Sequence, residues 1–193
     1  MKPLLPYIAL LLFCLQLLLM LGSWLLSAAV PDSGVCSLLS GEGLRWFMSN
    51  FANMLASPIL VWLLLLAMAY GVLRHSCLLQ VGKTYRERRA RLMTLLLLSA
   101  YISVVCLLTF TPHAVLLSAT GRLWPSPFSQ SLVPLVSFGI MLTGTFYGMV
   151  SGHLPTLRDV YNALLDGLRR SAPLFLFYIL FTQLYESFRF AFL

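Results

Sequence analysis

The chain has 193 residues, of which 60% are Ala, Val, Ile, Leu, Met, Phe, Trp, Tyr or Cys and only 10% are charged. Soluble domains carry about 45–50% apolar and about 25% charged residues, so this composition excludes a soluble enzyme fold or a disordered tail. The net charge of +7 comes from cations that lie between apolar runs instead of on one face, which excludes nucleic acid as the main partner.

Five segments are long and apolar enough to cross a bilayer, whose core requires about 20 apolar residues in a helix. Their apolar residues do not alternate as in the strands of a membrane barrel, so we expect an all-α integral membrane protein. The first segment exceeds the 7–15 apolar residues of a signal peptide, and we expect it to be retained. The predicted spans, in one membrane domain over 1–193, are residues 6–29, 58–79, 92–110, 132–150 and 172–193.

Two of the connections are themselves patterned as amphipathic helices. Residues 43–56 place apolar residues on one face and include Trp46, which is typical of a helix at the outer membrane interface. Residues 156–170 begin with Thr156 as a predicted N-cap and end with two arginines, with an apolar stripe between them. This pattern predicts a second interfacial helix, on the cytoplasmic side.

Most of the Lys and Arg residues fall on one side of the predicted spans. The positive-inside rule therefore places the N-terminus in the cytoplasm and, with five spans, the C-terminus outside. An alternative role for the same cations is to bind anionic lipid headgroups, with each Lys or Arg contributing about 1 kcal/mol. This cytoplasmic basic cluster comprises Lys83, Arg86, Arg88, Arg89 and Arg91.

No motif for catalysis or for metal binding stands out. The sequence has no nucleophile elbow, no zinc-protease motif, no phosphate-binding loop and no Cys-x-x-Cys pair. We therefore expect a protein that is not an enzyme and that holds neither a cofactor nor a metal.

Polar residues inside a span are costly and are often functional. The fifth span contains Gln183, Glu186 and Arg189, and the last two are spaced to pair on one helical face. They form either a substrate or ion site near the outer mouth or an ion pair that reaches the headgroups. Their place in the last third of the span favours the ion pair at the headgroups.

Small residues recur at helical spacing in two spans. Gly144, Gly148 and Gly152 are four residues apart in the fourth span, and Ala67 and Gly71 repeat this spacing in the second. Such stripes let helices approach closely in lipid. They predict close packing, either within one chain or at the seam of a homodimer.

Three stretches, in order, resemble the AbgT family of aminobenzoyl-glutamate transporters. Residues 40–79 resemble that family's interfacial helix and second span, and 86–110 resemble the basic entry to its mid-chain span. Residues 124–183 resemble the part that follows, with a Pro-Ser-Pro-Phe entry and a Tyr-Gly pair in the helix. The resemblance implies a bacterial inner-membrane protein.

Two substrate-binding hairpins of that family have no counterpart here. The family continues into its second hairpin with an Asn-Trp-Ser segment, whereas this chain has Arg189, Phe190 and Ala191 at those positions. What remains resembles the static scaffold, which makes the dimer contact in the family. We therefore expect a scaffold or small subunit of a transport-related assembly, partnered by a second copy or by another membrane subunit. The alternative is a self-sufficient small oligomeric transporter of aminobenzoyl-glutamate-like or other amphipathic anions.

Overall fold

A computed structural model describes residues 4–30, 34–79, 84–110 and 127–193. Its elements are all helices within these ranges, so the all-α prediction is confirmed for the described part of the chain. In chain order they are α1 (Leu4–Ala29), α2 (Gly41–Leu55), α3 (Pro58–Ser76), α4 (Tyr85–Phe110), α5 (Pro127–Ser151) and α6 (Leu157–Phe192).

Four helical segments in the described ranges are long and apolar enough to cross a membrane: Leu4–Ala29, Pro58–Ser76, Tyr85–Thr109 and Ser131–Ser151. They correspond to the first four predicted spans and identify the chain as a helical membrane protein. Residues 172–193, the fifth predicted span, are helical as far as Phe192 but are not among the four. Polar and charged residues in this segment lower its hydropathy.

Several helices extend beyond the segments predicted from apolar runs, and α4 and α6 extend furthest. Helix α4 begins at Tyr85, before the predicted start at residue 92. Helix α6 joins the predicted interfacial helix 156–170 and the predicted span 172–193 into one helix that continues through Pro173. Backbone hydrogen bonding needs no apolar side chain, and Arg, Glu, Ala and Leu all favour helix, so the helices continue through the charged stretches.

The chain divides into two compact units. Unit 1 comprises Met1–Val61 and Ala172–Leu193, and unit 2 comprises Trp62–Ser171. Helices α3 and α6 therefore contribute to both.

In unit 1, α1 and the C-terminal part of α6 run in the same direction. Gln16 Nε2 donates to Ser187 Oγ at 2.9 Å. Further along both helices, the segment that follows α1 bonds to each of them. Leu38 N donates to Ser23 Oγ of α1 at 3.2 Å, and Cys36 N donates to the Ala191 carbonyl of α6 at 3.1 Å. The contacts follow the same order on both helices, which makes them parallel.

The burial pattern of α1 is the reverse of that in a soluble helix. Its buried residues are Gln16 and Ser23, both polar, whereas most of its leucines are exposed. Exposed apolar side chains and buried polar ones are typical of a helix that faces lipid, where polar groups need partners within the protein.

Helix α2 runs antiparallel to α6 in unit 1. Ser40 caps its N-terminus by accepting a hydrogen bond from Gly43 N at 3.0 Å. Near its start, the ring of Trp46 stacks on Phe190 with centroids 4.1 Å apart, and at its end the Leu55 carbonyl accepts a hydrogen bond from the Tyr178 hydroxyl at 3.3 Å.

In unit 2, α4 and α5 form an antiparallel pair. Arg86 Nε donates to the Val150 carbonyl at 2.9 Å, and the Tyr101 hydroxyl donates to the Leu135 carbonyl at 2.8 Å. The Tyr101 ring packs against Gly139 of α5. A Cβ built on Gly139 would lie only 2.9 Å from this ring.

Helix α3 crosses the N-terminal part of α6 at two glycines in unit 2. A Cβ built on Gly71 would lie 2.7 Å from Gly167 N and would overlap the Ala163 carbonyl. A Cβ on Gly167 would overlap the Ala67 carbonyl. The helix backbones touch directly at this crossing, which only glycine permits at both positions.

Candidate functional site

A polar cleft of about 420 Å³ opens in unit 1 between α2, the following turn and the C-terminal part of α6. This volume lies in the range of small-molecule pockets, about 300–1,000 Å³. It is lined by Trp46, Asn50, Asn53, Met54, Ser57, Glu186 and Arg189.

Helix α6 provides the two charges of the cleft. Glu186 and Arg189 are one turn apart, and Arg189 Nη1 lies 3.6 Å from Glu186 Oε1. The Glu186 side chain is 25% exposed and that of Arg189 is 62% exposed. The pair is loose, so the guanidinium keeps donors, and the carboxylate keeps acceptors, for another group.

Helix α2 provides the opposite wall. Trp46, Asn50 and Asn53 follow each other at helical spacing and share one face. The Asn50 amide nitrogen donates to the Trp46 carbonyl at 3.1 Å, which leaves the Asn50 side-chain oxygen as an acceptor. Stacking on Phe190 fixes the indole of Trp46.

The end of the cleft near α3 is held by a tyrosine. Ser57 Oγ lies 2.6 Å from the Tyr178 hydroxyl, which also donates to the Leu55 carbonyl. These bonds tie the turn between α2 and α3 to α6, so the two walls of the cleft keep their spacing.

Another contact fixes α6 beside α1. Gln16 is buried, and its side-chain oxygen has no hydrogen-bond partner, although its nitrogen donates to Ser187. Ser187 lies between Glu186 and Arg189 in the sequence. The contact therefore sets where along α1 the two charges of the cleft lie.

The predicted polar residues of the last span are only partly brought together. Glu186 and Arg189 both line the cleft, whereas Gln183 does not. The amides of α2 and the Gln16–Ser187 contact were not predicted as parts of a site. Two features of the sequence indicate them. Gln16 is a single amide in a long apolar run, and two asparagines lie on the polar face of residues 43–56.

The predicted small-residue stripe of α5 divides among three environments in unit 2. A Cβ on Gly144 would lie 2.8 Å from the side chain of Val72 in α3, and one on Gly148 would lie 2.5 Å from Leu154 Cδ1. Gly152 follows the end of α5 with φ of 93°, and its N–H donates to the Gly148 carbonyl at 3.1 Å. All three positions therefore have neighbours within the chain.

The basic cluster lies at the start of α4. Arg86 bonds the end of α5, Arg91 also has an interaction partner, and Arg88 and Arg89 are exposed. Lys83 lies outside the described residues.

A second polar group lies in unit 2, beside the crossing of α3 and α6. Arg170 Nε donates to Asp166 Oδ2 at 2.6 Å, and His75 Nε2 lies 3.8 Å from the same oxygen. The hydrogen bond from Arg170 lowers the pKa of the Asp166 carboxyl, and the charges of Arg170, His75 and Arg74 act in the same direction. Across the described part of the chain, no three His, Cys, Asp or Glu side chains are placed to hold a metal ion.

No family model, curated protein or solved structure matches this chain. The resemblance of its three stretches to the AbgT family stays a prediction.

Proposed function

We propose that this chain is a scaffold or small subunit of a transport-related assembly in the inner membrane of a bacterium. In this proposal, residues 172–193 form a fifth span and a partner chain covers the polar cleft of unit 1. The observation that carries it is the exposed, charged surface of the cleft beside helices whose other exposed side chains are mostly apolar.

Two contacts of α6 bear on the depth of the charges. Gln16 is at the midpoint of α1, and a helix rises 1.5 Å per residue, so Glu186 and Arg189 lie within about 3 Å of Ser187 along α6 and level with the middle of α1. The turn before α3, however, bonds Tyr178, which lies about 13 Å before Ser187 along α6. In the five-span topology α3 begins at the outer face, and this second register places both charges at the outer headgroups or beyond them.

A charged surface that faces hydrocarbon has a large cost, about 2.5–3.5 kcal/mol for one Arg or Asp at the centre of a span on insertion scales. Arg189 is mostly exposed in the single chain, and Asn53 is exposed too. Helices of a second copy or of another subunit would remove this surface from lipid. Function through association follows from this requirement, and the resemblance to the AbgT scaffold agrees with it.

The proposed topology has a direct test. In a cysteine-free background, Asp32→Cys is expected to react with an impermeant maleimide added to intact cells, since residue 32 lies in a predicted outer connection. Thr84→Cys and Asn162→Cys are expected to react only after the membrane is opened. Labelling of Thr84→Cys in intact cells would contradict the five-span topology.

Association is tested by photo-crosslinking in native membranes. Ser49 is exposed and lies beside the face of α2 that lines the cleft, so a photoreactive residue there is expected to form an adduct with a second copy or another membrane subunit, identified by mass spectrometry. The control position is Leu11 on α1, which is 62% exposed and faces lipid. No adduct from position 49, or equal adducts from both positions, would overturn the proposal.

A self-sufficient small transporter is the second candidate, because the cleft contains a carboxylate. It predicts that liposomes with the pure protein accumulate substrate in response to a proton or sodium gradient, and that Glu186→Gln abolishes this uptake. Our proposal predicts no uptake by this chain alone.

A further inference from the structure

We propose that the polar cleft of unit 1 binds a small zwitterion with an apolar side group, such as an α-amino acid. This inference rests on the proposed function, in which a partner covers the cleft and encloses it as a small polar chamber. It adds the class of ligand.

The two charges of the cleft call for two charges on the ligand. Glu186 and Arg189 present a negative and a positive group 3.6 Å apart on the same turn of α6. A ligand with an anionic and a cationic group at similar spacing can pair with both side chains at once. An ion of one sign would leave one of the two side chains unmatched, which is costly where the dielectric constant is low.

The neutral lining of the cleft fits the rest of such a ligand. The Asn50 oxygen is left as an acceptor for an ammonium group, and Asn53 contributes an exposed amide. Trp46 and Met54 supply apolar surface, and the volume of about 420 Å³ leaves room for a side chain. The ligand therefore has a zwitterionic head and an apolar group.

The second cleft of unit 1 has a different character and lies on another face of α6. It measures about 550 Å³ and is apolar, with Leu18 and Gly22 of α1 facing Phe188 and Phe192 of α6. Residues 186 and 188 point to nearly opposite sides of a helix, so one small ligand does not occupy both clefts. The zwitterion site is confined to the face with Glu186 and Arg189.

Two sources supply this chemistry in a membrane: a free amino acid and the head of phosphatidylethanolamine. The test uses the full chain in nanodiscs, prepared with the partner identified by crosslinking, and radiolabelled L-leucine as the probe. N-acetyl-L-leucine retains only the negative charge and L-leucinamide only the positive one. We expect both analogues to compete at least tenfold more weakly than unlabelled leucine.

The variants test the roles of the two charges. Glu186→Gln is expected to weaken leucine binding at least tenfold and to abolish the preference over N-acetyl-leucine, and Arg189→Gln to abolish the preference over leucinamide. Arg170→Gln breaks another arginine–carboxylate pair, in unit 2, and Arg170 does not line the cleft, so this variant is expected to leave binding unchanged. If either Gln variant does not fold, the analogue series on the unmodified chain still decides.

Lipid composition separates the sources. If replacing phosphatidylcholine with phosphatidylethanolamine inhibits leucine binding, the site takes the lipid head; if it has no effect, the site takes the free zwitterion. Equal competition by leucine and N-acetyl-leucine, or no leucine binding in nanodiscs that retain the partner, would overturn this inference. The proposed function would still stand, because crosslinking from position 49 and uptake by the chain alone test it independently of leucine binding.

Discussion

Gly71→Ala is expected to lower the melting temperature of the purified protein by roughly 5–10 °C. The new methyl group would meet the backbone of Ala163 and Gly167, which cannot rotate away as a side chain can, so α3 and α6 would have to separate. Overpacking of this kind costs about 1–3 kcal/mol, and occasionally more. Each kcal/mol corresponds to about 2–4 °C in a chain of this size.

The matched control is Gly22→Ala in α1. It makes the same chemical change in a predicted span, but nothing lies within 4 Å of its new Cβ. Alanine favours helix over glycine by about 1 kcal/mol, so Gly22→Ala is expected to leave the melting temperature unchanged or to raise it slightly. Equal shifts for the two variants in a thermal unfolding assay would show that the crossing of α3 and α6 does not require glycine.

This crossing shows how far the sequence alone can predict packing. The spacing of Ala67 and Gly71 predicts a surface for close approach, but not its partner. Ala163 and Gly167 repeat the same spacing in a segment whose pattern is typical of an amphipathic interfacial helix, so the sequence does not predict that they form a packing surface. Which two stripes meet depends on tertiary structure.

Local signals predicted the helix ends well where a side chain acts on its own backbone. Thr156 was predicted as an N-cap, and its hydroxyl accepts a hydrogen bond from Asp159 N at 3.2 Å, while Asp159 accepts one from Thr156 N at 3.0 Å. The arginines at 169 and 170 were predicted to end that helix. It continues to Phe192, because no glycine follows the two arginines within α6 and Pro173 does not break it.

The candidate site was harder to predict because depth is a relation between helices. Position within residues 172–193 alone places Glu186 near an outer end. The contact between Gln16 and Ser187 instead aligns it with the middle of α1, and no pattern within either segment contains that register. The composition of the two segments therefore predicted which residues are polar, but not where in the membrane they lie.

The depth of the ion pair has a measurable consequence: if the pair lies level with the middle of a membrane-spanning α1 and a partner covers it, Arg189→Gln is expected to lower the free energy of unfolding in lipid bicelles by about 3–5 kcal/mol. This is the typical cost of leaving one member of a desolvated pair without its partner. A pair at the headgroups would lose only about 0.2–1 kcal/mol, the usual contribution of exposed ion pairs. The two depths therefore predict results that differ severalfold.

Two controls separate pairing from other effects of the substitution. Exchanging the charges, with Glu186→Arg and Arg189→Glu together, keeps one acid and one base a turn apart and is expected to recover most of the lost stability. Arg170→Gln removes the partner of Asp166 from an exposed pair in unit 2 and is expected to leave the free energy of unfolding almost unchanged. If Arg189→Gln costs no more than Arg170→Gln, the Glu186–Arg189 pair lies at the headgroups. The requirement for a partner chain over the cleft then disappears, because water would already solvate both charges.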